Sequence, residues 1–185
     1  MVNFFTYLEI YLDDMTKAVS LNEFATHFDK PHQTVKKHLE EFVTTRVLKQ
    51  ERKGRFLYYK LNLDNPLFKE HIIMCEKERL LLFLKNNPFF FILYKELSAF
   101  FKNSSFLLFG SSVTEKNYID IDVLAISKSK KIKAVLEKLE HTYSKKIHLI
   151  QTEKKYMSKT LIKEIKNKHI ILNGHESFYE VLYDY

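Results

Sequence analysis

The sequence predicts an α+β or α/β chain in two domains, and three features of its apolar pattern lead there. From Leu21 to Asn62, two stretches with helical spacing are followed by an alternating segment about Lys53-Gly54. From Phe106 to Leu172, short apolar runs alternate with helical stretches, the order of a mixed sheet flanked by helices. Between them, Pro66 to Leu84 carries apolar residues enough for one connecting helix. The expected divisions are therefore residues 1–65, 66–87 and 88–185. With 185 residues, 45% of them hydrophobic and 15% aromatic, both domains can bury a core and general disorder is excluded.

Residues 3 to 14 open the chain as a helix, with Phe4, Phe5, Leu8 and Leu12 on an apolar side that Ile10 and Tyr11 extend. Ala18-Val19-Ser20 reads as a short edge strand. Ser20 and Glu23 then have the spacing of a capping box, which starts a helix over Leu21 to Phe28. After the turn Asp29-Lys30-Pro31, His32 to Thr44 makes a second helix that buries Val35, Leu39 and Phe42 and turns Gln33, Thr34, Lys36 and Lys37 outward. Val47 to Asn62 alternates as a hairpin, Leu57, Tyr59 and Leu61 opposing Phe56, Tyr58 and Lys60.

Helix, strand, helix, turn, helix, hairpin is an order that resembles the winged helix-turn-helix family, most closely over Leu21 to Lys49. The resemblance implies a reader of double-stranded DNA. Gln33, Thr34, Lys36 and Lys37 would enter the major groove, and Arg52, Lys53 and Arg55 at the wing tip would reach the neighbouring backbone. Gln33 is a candidate adenine reader, whereas the lysines are phosphate contacts blind to sequence. Arg46 stands where many relatives place glycine, so it must accept a left-handed backbone or end the helix differently. The alternative is an interaction or dimerisation module with a solvated basic face, in which the helix after the hairpin could form a homodimer.

In the second half, Pro88 begins an aromatic helix reaching Phe101, and Phe106 to Phe109 is an apolar strand that ends in Gly110-Ser111-Ser112. A helix beginning there would offer unpaired N–H groups to a phosphate, and glycine would let that phosphate approach. Tyr118 to Ile126 is the next strand, with Asp120 and Asp122 two residues apart and so on one face. Two hard oxygen ligands side by side suit Mg²⁺ that keeps some waters and also grips phosphates. A helix over Ser129 to His141, a strand at Ile147, a helix around Leu161, a strand His169 to Leu172 and a helix Gly174 to Tyr185 complete the domain.

Residues 88 to 185 resemble the polymerase-beta superfamily of nucleotidyltransferases, in particular its small prokaryotic and archaeal members. The resemblance implies that Gly110, Ser111 and Ser112 hold a nucleoside triphosphate and that Asp120 and Asp122 bind Mg²⁺. The family's third carboxylate falls on the later strand, where this chain has His148. His148 is the candidate general base, since imidazole titrates near neutrality, or else an ordinary strand residue in a site that has lost activity. Glu153, just past the strand, reads more simply as a helix-starting residue.

The formal charge of +7 agrees with an anionic partner, and the lysines and arginines between Lys30 and Lys60 coincide with the DNA-reading motif. The lone cysteine, Cys75, excludes a disulfide framework and fits the cytoplasm, as does the absence of a secretory leader. Leu80 to Phe101 is interrupted by charged and polar residues, so no membrane span is expected. Three functions follow as expectations: a DNA-binding nucleotidyltransferase, a transcription regulator with a vestigial nucleotide pocket, or an antitoxin-type transferase acting on a helical toxin partner.

Overall fold

The Ser20–Glu23 spacing produces the capping arrangement it implies in the computed structural model, which describes residues 4–115 and 117–183. The expected start of the first helix at Asn3, loop residue Lys116 and the last helix's extension to Tyr185 lie outside those residues. Ser20 accepts the Glu23 N–H while the Glu23 carboxylate accepts the Ser20 N–H. The chain is a mixed α and β structure with two sheets, and it divides into the units Met1–Glu78 and Arg79–Tyr185.

In the first unit, strand β1 (Val19–Ser20) leads to helices α1 (Leu21–Phe28) and α2 (His32–Thr44). The hairpin of β2 (Leu48–Lys53) and β3 (Phe56–Leu61) follows. The sheet order is β1-β3-β2, antiparallel throughout, with Leu48 opposite Leu61 and Lys53 opposite Phe56. Its core takes Phe24 from α1, Val35, Leu39 and Phe42 from α2, and Leu48, Tyr59 and Leu61 from the hairpin.

One expectation needs correction. In place of the α-helix expected over residues 3 to 14, the described residues form a 3-10 helix over Phe5–Tyr11. Thr6, Tyr7, Leu8, Ile10, Tyr11 and Leu12 are all buried, so no polar face sets a helical period, and the Tyr11 hydroxyl is anchored on the Tyr59 carbonyl at 2.8 Å. Leu57 does not share the burial of Tyr59 and Leu61, because the hairpin runs past the core and residues 52–57 are exposed.

Arg46 accepts the left-handed backbone, at φ 60°. The Val47 N–H bonds to the Phe42 carbonyl and the Arg46 N–H to the Val43 carbonyl, the paired bonds of a helix end built for glycine. The Asn62 and Asn65 side-chain amides donate to the Arg46 carbonyl at 2.8 and 2.9 Å, which fixes the peptide in place. Arg46→Gly is therefore expected to stabilise this unit by about 0.5–1 kcal/mol, since the left-handed cost outweighs the entropy glycine adds to the unfolded chain. Urea unfolding checks it; a lower midpoint would show that the arginine side chain contributes more than its backbone costs.

Helix α3 (Phe68–Asn86) contains the division between the units. The second unit continues with α4 (Pro88–Leu97), β4 (Ser105–Phe109), the single turn α5 (Ser111–Thr114), β5 (Asp120–Ile126), α6 (Lys131–Tyr143), β6 (Lys146–Thr152), α7 (Lys159–Asn167), β7 (His169–Asn173) and α8 (His175–Leu182). The sheet order is β6-β5-β4-β7, with β5 and β6 parallel and the other pairs antiparallel.

Strand alternation sorts the side chains of this sheet. Ile121, Val123, Ala125, Phe106, Leu108, Ile147, Ile170 and Leu172 share a core with Leu93 and Leu97 of α4 and Ile132 and Leu136 of α6. The alternate residues, among them Asp120, Asp122 and His148, belong to the opposite face. The outer edge of β6 is guarded by Glu140 of α6, whose carboxylate accepts the Ile147 N–H at 2.7 Å. Among the described residues no helix is long and apolar enough to cross a membrane.

Candidate functional site

One row of backbone pairing assembles the site. His148 on β6 lies opposite Asp122 on β5, and Asp122 lies opposite Phe109, the last residue of β4. Directly paired residues project to the same face, so the imidazole and the carboxylate are neighbours by register alone. Asp120, two residues earlier on β5, joins them. His148 Nδ1 is 3.5 Å from Asp120 Oδ2 and 3.6 Å from Asp122 Oδ1, inside ion-pair range but too far for strong hydrogen bonds. The side chains are 48% exposed for His148, 31% for Asp120 and 27% for Asp122, so a ligand can reach all three.

β4 delivers Gly110 to the same place. Its backbone, at φ 77° and ψ −157°, occupies a region essentially reserved for glycine. A Cβ there would stand 2.7 Å from Asp122 Oδ2. The missing side chain is thus what lets the Asp122 carboxylate lie against the turn. Ser111 follows directly. Ser112 is buried, and its hydroxyl is directed at the Phe109 carbonyl, so that side chain belongs to the turn's own support. The helix expected after the glycine is a single four-residue turn, too short for the axial dipole on which the phosphate expectation partly rests.

The electrostatics explain why this face is costly to leave bare. Asp122 is held above the usual carboxylate range, first by partial burial and then by the neighbouring Asp120 charge; Glu164 adds to the rise and His148 opposes it. Glu164 belongs to α7 and is exposed; its charge reaches Asp122. The spacing of motifs holds no hint of it. The only signal in the chain is one acid among Lys159, Lys163, Lys166 and Lys168.

Because folding raises the Asp122 pKa, its protonated form favours the fold: that contribution is complete below the ordinary value of 3.8 and is lost as pH rises through the higher folded value. Asp122→Asn is accordingly expected to stabilise the protein at pH 7 and raise its Tm. Thermal unfolding at pH 7 and pH 4 checks this. The gain should shrink at the lower pH, and an equal gain at both would point to packing in place of charge.

Two crowded carboxylates form a donor set that a hard divalent cation satisfies. Among the described residues no three of His, Cys, Asp and Glu converge tightly enough to hold a metal alone. A bound Mg²⁺ would therefore rest on Asp120 and Asp122, with its other positions filled from outside the chain.

The nucleic-acid candidates all lie in the first unit. Gln33, Thr34, Lys36 and Lys37 are exposed on α2, opposite its buried face, and Lys36 pairs with Glu40 at 3.6 Å. Arg52, Lys53 and Arg55 are exposed at the hairpin end, where Lys53 lies 3.6 Å from Glu51 and 5.9 Å from the centre of the Tyr58 ring. Each of these ion pairs is exposed, so it holds its lysine only weakly against a polyanion. Compared with protein-family models, with curated proteins and with solved structures, the chain matches none.

Proposed function

We propose that this protein binds duplex DNA through its first unit, as a winged helix-turn-helix, and binds an Mg²⁺-nucleotide at the acid pair of its second, as a nucleotidyltransferase-like domain. The observation that carries the nucleotide reading is the seating of Asp122 against the bare backbone of Gly110, with Asp120 beside it. This puts the groups suited to a cation beside the turn, so a phosphate sharing that cation would be held next to Gly110 and Ser111.

In the reaction this arrangement supports, an acceptor hydroxyl oxygen forms a bond to the α-phosphorus. The bond from that phosphorus to the α,β-bridging oxygen breaks, and pyrophosphate leaves. Bound Mg²⁺ would neutralise charge on the phosphates. In this reading His148, whose imidazole lies beside Asp120 and Asp122, takes the hydroxyl proton, and the Gly110-Ser111 turn positions the phosphates.

The test is transfer of label from α-labelled nucleoside triphosphates to protein, RNA or small hydroxyl acceptors. Asp120→Asn and Asp122→Asn should each lower transfer by about 100-fold or more. Transfer that persists in both variants would remove the acids from the reaction.

One observation favours a second reading, a regulator that makes no product. His148 stands within 3.6 Å of both carboxylates, where a protonated imidazole would offset one of their two charges without an added cation. In that case His148→Ala should strengthen Mg²⁺ binding measured by calorimetry, whereas a base in an active transferase should lose turnover with little change in metal affinity.

A further inference from the structure

The hairpin of the first unit ends in an exposed aromatic ring, Phe56, paired across the ribbon with Lys53, which also reaches Glu51 at 3.6 Å. Phe56 is 64% exposed and Leu57 beside it 37% exposed, although a phenylalanine on a strand ordinarily finds a neighbour to cover it. Register explains why none is present. Phe56 lies opposite Lys53 and Leu57 opposite Arg52, so the two apolar side chains project to opposite faces of a ribbon that has already passed the core. Arg55 completes the set, and the turn about Gly54 has nothing within 4 Å of where a side chain would begin. The tip is narrow, apolar at its end and positively charged on its flanks.

We infer that Phe56 is a wedge that enters a base step of duplex DNA while Arg52, Lys53 and Arg55 hold the flanking phosphates. This deepens the DNA reading proposed above and rests on it. The cations supply affinity for a polyanion without regard to sequence. The ring supplies what they cannot: a flat apolar surface that replaces one base in a stack and so kinks the helix. A membrane surface is the other partner with such chemistry. One phenylalanine and part of one leucine are a small anchor for a bilayer, but one ring is what a single base step can take up.

The experiment uses the full chain and 30-base-pair duplexes carrying 2-aminopurine at a central TA step, the kind of step that unstacks most easily. Binding is followed by anisotropy, and unstacking by the fluorescence of the analogue. With saturating wild-type protein the fluorescence should rise about two- to fivefold as the base leaves its stack. Phe56→Ala should bind within about threefold of wild type, since the cations remain, yet lose most of that rise, and Phe56→Trp should restore it. Phe56 is exposed, so neither change threatens folding.

Binding by wild type with no fluorescence change would overturn the wedge alone. A Phe56→Ala protein that unstacks the base as well as wild type would do the same. Failure of wild type to bind any duplex at low salt would overturn the wedge and the DNA reading together. Co-sedimentation with phosphatidylserine vesicles that depends on Phe56, without base unstacking, would assign the tip to a membrane instead.

Discussion

Gly110→Ala is expected to lower nucleotide affinity by about 100-fold or more while costing about 2 kcal/mol of stability. The two effects have different origins. The stability loss comes from the backbone, because φ 77° with ψ −157° strains any residue with a Cβ. The functional loss comes from the contact: a methyl 2.7 Å from Asp122 Oδ2 must displace that carboxylate, and Asp122 is a short side chain that can yield only by rotating. Rotation takes it from the turn and changes its distance to His148. Calorimetric titration with Mg²⁺-ATP beside a urea unfolding curve separates the two effects. Unchanged affinity in a folded variant would mean that the carboxylate's seat on the glycine has no part in binding.

Gly174→Ala should be the most damaging single methyl in the second unit, at about 3–5 kcal/mol. Gly174 begins α8 at φ 81°, where L-residues lose about 1–2 kcal/mol. Most of the damage is steric. A Cβ would lie 2.1 Å from Ser105 Oγ, 2.4 Å from Ser105 Cβ and 3.2 Å from its Cα. No rotamer of Ser105 relieves contacts with its own Cβ and backbone, so β4 and the start of α8 would have to separate. Asn173 resists that movement, since its amide donates to the carbonyls of Phe101 at 3.0 Å and Ser104 at 2.7 Å. Ser105→Gly in the same chain should return most of the loss and leave the backbone cost, about 1–2 kcal/mol. A double variant no more stable than Gly174→Ala would show the clash to be relieved by other means.

What can be read from the sequence is whatever local chemistry decides. The capping box at Ser20, the helical spacing of Val35, Leu39 and Phe42, and the left-handed demand at Arg46 each depend on a few adjacent residues. Asp120 and Asp122 share a face for the same reason: strand period two is local. What cannot be read depends on where other elements stop. Leu57 has the alternation of a buried residue, but burial is decided by how far the core extends beneath the hairpin. Phe5–Tyr11 form a 3-10 segment in which Thr6, Tyr7, Leu8, Ile10 and Tyr11 are all buried, which leaves too little polar face to set a periodic pattern. Glu164 affects Asp122 from a helix more than forty positions away in the chain, a relation that tertiary structure alone creates.

The carboxylate of Glu140 on the Ile147 N–H bears on how this protein behaves in concentrated solution. β6 is the outermost strand on its side of the sheet, and an outermost strand offers its backbone groups to any second chain that can lie alongside. An anion already occupying this outward donor makes that invitation poor. Neutralising the guard with Glu140→Ala should leave the chain folded but bring on light scattering at lower protein concentration, and the aggregates should show extended-strand infrared bands.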